Sequence, residues 1–504
     1  MSNQLSNNRR IAKNTMYLYI RMLFTLCINL YTSRLLLQYL GIEDFGIYNV
    51  VGGIVALMMF VNTSMRGATS RFISYCLGRG DVSELKGTIN SSIQIHSAIA
   101  ILLLLAGETI GLWFVNTGLN LPSSSMSAAN CVYQFSLLAS AVAILQVPYN
   151  ACVISYERMN VFAVIEIINV MLKCLIVFCL VLFPNRLIAY GGLLFGVSVL
   201  VWLMYLVYCH KKINNFSCNM HINKGIVRRM LNFALCDLFG NGTCAVKQQG
   251  INILINNFFS VALNAASGVA TQASSIISTF MANVLQAFRP QIIKEYSVGN
   301  VPRMSRLMCT ECDALFFLLA LIFIPLYINI DYVMLLWLRT VPPYAVVFCK
   351  VLLVLNVFSI ATQILQDGIH ATGNIRGMSF FLGGLNLFCL LLTYLFFKAG
   401  MDAQFAYIAM VICLFIQTIA CLVIQKRLIA EYPILNYVKC IVKGCLVLLL
   451  CFLIVNNAPL LVSGQFAKVI VDTALSALLL IAIDSIVYPA YRKRIWSLLK
   501  NKIR

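Results

Sequence analysis

The segment MNVFAVIEIINVMLKCLIVFCLVLF, Met159–Phe183, decides the class of this protein. It is one continuous apolar run, and Glu166 and Lys173 are its only charges. About 20 apolar residues, rising ~1.5 Å each as a helix, cross the hydrocarbon of a bilayer. The same pattern recurs on both sides of this run. Reading apolar stretches between polar breaks predicts about fourteen spanning helices. They lie at approximately 14–40, 45–77, 87–115, 124–154, 159–183, 187–209, 228–256, 262–289, 306–329, 344–370, 376–398, 403–425, 434–455 and 467–489. The connections are short, none above roughly twenty residues, which leaves no room for a soluble domain.

Composition agrees. Of 504 residues, 61% are hydrophobic and 11% charged, and the mean hydropathy is +0.87. Soluble domains hold about 45–50% apolar and about 25% charged residues. A soluble enzyme, a disordered chain and a nucleic-acid binder with a solvated basic face are therefore excluded. Most of the 19 cysteines lie inside apolar runs, as Cys174, Cys179, Cys389, Cys413 and Cys421 do, where a thiol behaves as a small hydrophobe. The CxxC of Cys309 and Cys312 has no second pair to complete a zinc site, so two helix residues at i and i+3 are expected there.

The charge is lopsided: 37 Lys and Arg against 17 Asp and Glu, a net of +20. With the N-terminus placed inside, 25 basic residues fall in inner segments, from Arg9, Arg10 and Lys13 to the six of the tail from Arg492 to Arg504. Four, Arg186, Arg339, Lys398 and Lys468, fall outside. This positive-inside bias predicts both termini in the cytoplasm and an even number of spans. No small-residue cleavage site follows the first basic cluster, so the first span is expected to stay in the membrane.

An internal repeat is visible. Arg9-Arg10 and Arg228-Arg229 open spans 1 and 7; Tyr75–Gly78 and Tyr296–Gly299 end the spans that follow; Ile144–Gln146 and Ile364–Gln366 sit in spans 4 and 10. The offsets are 219, 221 and 220 residues. Six spans per unit would make two parallel copies, as in transporters, with spans 13 and 14 appended.

The remaining eight basic residues lie within spans: Arg21, Arg34, Arg66, Arg71, Lys173, Lys247, Arg289 and Lys350. A charge there costs ~2.5–3.5 kcal/mol on insertion scales and usually faces a cavity or a partner. Arg34, Arg66, Arg71 and Arg289 lie toward span ends, so snorkelling to the headgroups is the competing reading. Lys173 is mid-span. It is either a cavity charge or half of a structural ion pair, and Glu166 is seven residues away, too far for direct contact along a straight helix. Span 1 carries Arg21, Thr25, Asn29 and Thr32 within about 80° of one face, and span 7 carries Asp237, Asn241, Gln248 and Asn252 within about 60°. Such stripes either line a hydrated cleft or glue the bundle by hydrogen bonds. Glu108, Asp472 and Asp484 receive no role, and His96 and His370 read as packing residues. There is no G-x-x-x-x-G-K-[ST] phosphate loop, no HExxH and no other cofactor or metal motif, so no enzyme is expected.

Several motifs resemble those of one family. Leu40-Gly41-Ile42-Glu43-Asp44-Phe45-Gly46-Ile47-Tyr48 resembles the first outer turn of the polysaccharide and O-antigen flippases in the multidrug/oligosaccharidyl-lipid/polysaccharide (MOP, MATE-like) exporter superfamily. Arg71–Asp81 is similar to the end of their second span. Val147–Ala151 with Tyr156–Met159, and His370–Arg376, are similar to corresponding corners of their two halves. The resemblance covers about residues 1–430. It implies an all-α integral membrane protein with two six-helix lobes in a MATE-like V around a central cavity, plus two C-terminal helices. The expected domains are 1–220, 221–430 and 431–504, the last ending in a basic cytoplasmic tail.

The resemblance also implies a flippase for a polyprenyl-diphosphate-linked oligosaccharide, a polysaccharide or O-antigen repeat unit, in the bacterial inner membrane, working by alternating access. Arg21, Lys173 and Lys247, then Arg34, Arg66 and Arg289, are expected to attract the diphosphate, because a phosphate leaving water needs charge-assisted donors. Asn29, Asn241 and Gln248 are expected to bond the sugar. Glu166 and Asp237 are the candidates for coupling to H+ or Na+. Membrane lipids and polysaccharide-assembly proteins are candidate partners, and nucleic acid is not. The alternatives are a cation-coupled multidrug exporter of the same fold, which would depend on Asp237 or Glu166, and a membrane-embedded glycan polymerase or acyltransferase, which would want an outer loop absent here.

Overall fold

A computed structural model describes residues 13–29, parts of 31–48, 60–117, 126–213, 223–259, 261–338, 341, 344–458 and 464–487. Among the described residues the chain is helical, with no strand. Helix α1 includes 13–29, and α2 is Phe60–Arg79, α3 Val82–Ala106, α4 Leu112–Thr117, α5 Met126–Ser155, α6 Met159–Cys179 and α7 Arg186–Lys212. Then follow α8 Lys224–Phe258, α9 Val261–Ser297, α10 Val301–Ile328, α11 Ile330–Leu338, α12 Ala345–Thr372, α13 Arg376–Lys398, α14 Phe405–Leu428, α15 Ile434–Asn456 and α16 Gln465–Val487. A π turn, Gly107–Gly111, joins α3 to α4, and the Tyr133 hydroxyl donates to the Gly107 carbonyl at 2.7 Å.

The protein is a multi-pass membrane protein. Among the described residues, ten segments are long and apolar enough to cross a membrane, with mean hydropathy from 1.8 to 2.6 in their best windows. The sequence predicts fourteen. The other four, spans 1, 2, 7 and 8, correspond to α1, α2, α8 and α9. Only 13–29 of α1 is described without a break. The other three carry polar residues at nearly every turn, such as Arg66, Thr69, Ser70, Arg71 and Ser74 in α2. Helices α8 and α9 reach 35 and 37 residues without reaching the hydropathy of the rest.

The chain divides into two compact units. The first is Met1–Leu238 with Arg289–Gly299, and the second Phe239–Phe288 with Asn300–Arg504. Helices α8 and α9 therefore each contribute residues to both units, α9 changing at Phe288–Arg289 beside its internal Pro290.

The two units repeat one plan. In the first, α5 packs on α3 and α7, and α6 on α7. In the second, α12 packs on α10 and α14, and α13 on α14. Helix starts repeat as well: Val82 and Val301, Met126 and Ala345, and Arg186 and Phe405 are each 219 apart. The turns before α3 and α10 are the same device. Gly80 and Gly299 take φ of +71° and +75°, a left-handed conformation that glycine adopts without Cβ strain. Asp81 and Asn300 then cap the next helix, accepting from the backbone N–H groups of Glu84 and Arg303.

Helices α15 and α16 pack on α10 and on each other in the second unit. Gly444 lets α15 approach closely: a Cβ there would collide with the Phe316 ring. Asn329 Nδ2 at the end of α10 donates to the buried Asp472 carboxylate of α16 at 2.7 Å, a partner for an acid to which the sequence assigns no role. Cys309 and Cys312 fall on α10 as free thiols, Cys312 buried.

Candidate functional site

In the first unit the embedded charges gather along one face of α6. Phe162, Glu166, Asn169 and Lys173 are spaced four, three and four residues apart, so the helix places them in one row. The Arg21 guanidinium of α1 lies 4.7 Å from the Phe162 ring centroid, an attractive cation–π geometry. Glu166 accepts from the Tyr205 hydroxyl of α7 at 3.1 Å and from Asn169 Nδ2 at 3.4 Å. Asn150 of α5 acts on the same Tyr205 hydroxyl. Glu166 acts electrostatically on both Arg21 and Lys173. Two cations, from α1 and α6, thus lie within the field of one carboxylate.

Around the end of α2 this unit shows two residues that the sequence did not assign to the cargo site. Arg71 is buried at 7% exposure, not extended toward headgroups. Its guanidinium lies 4.7 Å from the Phe72 ring, 4.8 Å from Tyr75 and 6.0 Å from Phe233. The aromatics at 72 and 75 are the signal that could have found this cage. Burial raises the Tyr296 phenol beside it, Tyr75 adding and Arg71 opposing. Glu157, at the α5–α6 corner, has a φ of +59° and a carboxylate 1% exposed. It accepts from Lys294 Nζ at 2.7 Å and Gln291 Nε2 at 2.9 Å. Lys294, counted among the topology charges, therefore has a buried partner. Arg66 is exposed, Arg289 and Asp237 are half-buried, and Asp237 Oδ2 lies 3.8 Å from the Cβ position of Gly67. Asn29 is exposed, and Arg34 lies outside the described residues.

In the second unit, Lys247 of α8 donates to Asn386 Oδ1 of α13 at 3.0 Å. Gln417 Nε2 of α14 donates to the same oxygen at 3.2 Å, and Asn386 Nδ2 donates to Thr243 Oγ1 at 3.4 Å. Among the described residues no carboxylate forms an ion pair with Lys247. The rest of the α8 stripe divides. Gln248 Nε2 donates to Thr271 at 3.5 Å, while Asn252 accepts from Ser267, whose Oγ accepts from Tyr407. These bonds tie α8 to α9 and are the gluing role. Asn241 is exposed. Lys350 is paired with Asp331 at 3.3 Å. Glu311 of α10 and Asp367 of α12 are fully buried acids, and Glu311 is one the sequence reading did not single out. Among the described residues no group of three or more His, Cys, Asp or Glu side chains comes together to hold a metal ion.

No protein-family profile matches the chain, and no curated protein matches it by sequence. Solved structures do match. A structure of MATE in the bent conformation matches with a TM-score of 0.72 at 12% identity, covering 87% of this chain and 97% of that one. An outward-facing multidrug resistance MATE transporter of the MOP superfamily gives 0.68 at 13% identity, covering 85% and 97%. A MOP superfamily transporter from Pyrococcus furiosus, described by the reverse polarity of its binding pocket, gives 0.69 at 12% identity, covering 84% and 96%. At these identities the likeness speaks for architecture alone: the chain has the MATE-like fold of MOP exporters.

Proposed function

We propose that this chain is a flippase that carries a polyprenyl-diphosphate-linked oligosaccharide across a bacterial inner membrane, with both termini cytoplasmic. The observation that carries the reading is the sign of the embedded clusters. Arg21 and Lys173 lie in the field of a single acid in the first unit, and Lys247 rests on neutral amides in the second. Embedded cations that exceed their acids attract an anionic cargo, and a diphosphate supplies one. The match to a MOP transporter described by a reversed pocket polarity supports the idea that this fold serves more than one kind of cargo. The lobes 1–220 and 221–430 would rock about the cargo while 431–504 rides with the second. The half-buried Arg289 and the exposed Arg66 are secondary contacts, with Asn29 and Asn241 toward the sugars, while Gln248 serves the bundle through Thr271. The protein acts by binding and rearrangement, not by catalysis.

The test is deletion of the gene followed by analysis of the lipid-linked oligosaccharide pool. Complete repeat units should accumulate on the cytoplasmic face, and Lys173→Ala should reproduce this while the protein remains in the membrane. An unchanged pool with altered sensitivity to cationic drugs would support the second reading, a cation-coupled multidrug exporter. The buried Glu311 and Asp367 favour that reading.

A further inference from the structure

Lys350 is one of the embedded cations that the cargo reading does not use, and it stands one helical turn from a cavity. Helices α12 and α15 both pack on α10. They meet each other at the buried Tyr437, whose hydroxyl donates to the Ala361 carbonyl at 2.7 Å. From Phe358, one turn back along α12, they leave a slot of about 310 Å³. Phe323 and Tyr327 of α10, Val354 and Phe358 of α12, and Leu448 and Phe452 of α15 line it. The Tyr327 ring lies 5.2 Å from that of Phe323 and 5.6 Å from that of Phe452. We propose that this slot holds one acyl chain of a resident glycerophospholipid, whose zwitterionic headgroup sits on Lys350 and Asp331. The inference is independent of the cargo and lies within the second unit.

The chain follows from the lining and its surroundings. Of the nine residues around the slot, only Tyr327 and Cys445 carry a polar side-chain atom. An ordered water needs roughly 2–4 polar partners, so water is a poor filler here. Left empty, the slot would strip its lining of contact partners, and a cavity of about 150 Å³ already takes a molecule the size of benzene. Helices α10, α12 and α15 are apolar enough to span a membrane, with mean hydropathy of 2.2, 2.2 and 2.6 in their best windows. Hydrocarbon is therefore the medium at the mouth. Phe358 and Leu449 line the slot and are themselves exposed. The slot is thus continuous with the lipid-facing surface, and a chain enters it sideways from the bilayer. The headgroup follows from charge. Lys350 precedes Val354 by one turn on the same face, in the second turn of α12 and so near the end of the span. Its ammonium pairs with the Asp331 carboxylate at 3.3 Å, and the two side chains stay 34% and 69% exposed. A headgroup with a phosphate and an ammonium offers one charge to each of them. A prenyl phosphate offers the anion but nothing to Asp331, and the observations therefore favour the phospholipid.

The experiment is native mass spectrometry and thermal unfolding of the purified full chain in detergent micelles. Dioleoyl phosphatidylethanolamine, dioleoyl phosphatidylglycerol and a polyprenyl monophosphate are the separate probes. Wild type should carry one phosphatidylethanolamine per chain and bind it about tenfold tighter than phosphatidylglycerol, which lacks the ammonium. Its thermal midpoint should rise when phosphatidylethanolamine is added. Leu448→Trp fills the slot; it should bind this lipid at least about tenfold more weakly, and its midpoint should not respond to it. Lys350→Gln keeps the slot and should lose the preference between the two phospholipids. Leu478→Trp, on an exposed face of α16, is the control and should behave as wild type. Equal binding of both phospholipids by wild type overturns the proposal, and so does phosphatidylethanolamine binding that Leu448→Trp leaves unchanged. Tighter binding of the polyprenyl monophosphate than of either phospholipid overturns it as well and assigns the slot to the tail of the cargo. Should Leu448→Trp not fold, Cys445→Phe narrows the same slot from the same helix, and unchanged binding by that variant overturns the proposal.

Discussion

The two units hold their embedded cations in different ways. In the first, Arg21 and Lys173 face an acid, Glu166, that is steadied by Tyr205 and Asn169. In the second, Lys247 is held by the oxygen of Asn386, which also accepts from Gln417. One arrangement is an ionic balance and the other a polar cradle. The difference teaches that a duplicated fold does not duplicate its electrostatics. The helix starts keep a 219-residue offset, yet Arg21 and Lys173 lie in the field of Glu166 while Lys247 is held by the Asn386 amide. Pairwise hydrogen bonds between membrane helices average about 0.6 kcal/mol, so a cradle of amides is a modest anchor and leaves most of the cation's charge available to a cargo.

The sharpest way to break the contrast is Asn386→Leu. It strips the partner from Lys247, Gln417 and Thr243 together. We expect a loss of about 2 kcal/mol, read as a lowered thermal midpoint in detergent. An unchanged midpoint would show that the cradle contributes nothing to stability. Tyr205→Phe touches the other cluster more gently, by removing one hydroxyl donor to a carboxylate. A loss of about 1–1.5 kcal/mol is expected in the same measurement. Next is Lys247→Met, which keeps the length of the side chain and leaves Asn386, Gln417 and Thr243 free to bond one another. Stability should change by less than about 1 kcal/mol while lipid-linked glycan transport collapses. A large destabilisation without a transport-specific effect would make Lys247 a structural residue. The smallest effect belongs to Gln248→Ala, whose 3.5 Å contact with Thr271 is at the limit of a hydrogen bond. Both stability, within about 0.5 kcal/mol, and transport should survive it. A loss of transport there would return Gln248 to the cargo site.

Much of the architecture was legible in the sequence because its signals are local. Apolar runs bounded by polar breaks gave the spans, whereas the repeat in the sequence aligned Gly78 with Gly299 and the structure pairs Gly299 with Gly80, each followed by a capping side chain. Spans 7 and 8, read like the others as apolar stretches between polar breaks, are helices, although polar ones. The site was less legible. Arg71, weighed as a snorkelling residue, is enclosed by aromatics from α2 and α8. Lys294, counted toward topology, meets a buried carboxylate 137 residues earlier. The stripe on α8 is neither all glue nor all lining, because Gln248 and Asn252 turn to α9 and Lys247 turns to α13.

The sequence by itself determined that this chain is a helical membrane protein built on a repeated unit, because membrane insertion, helix ends and tight turns depend on residues close together in the chain. Only the tertiary structure decided which cation is caged, which is shared and which is cradled. Lys247 and Asn386 are 139 residues apart, and Glu166 and Tyr205 are 39 apart. A charge inside a bilayer takes its meaning from the groups packed around it, and those groups are brought together only when distant helices pack.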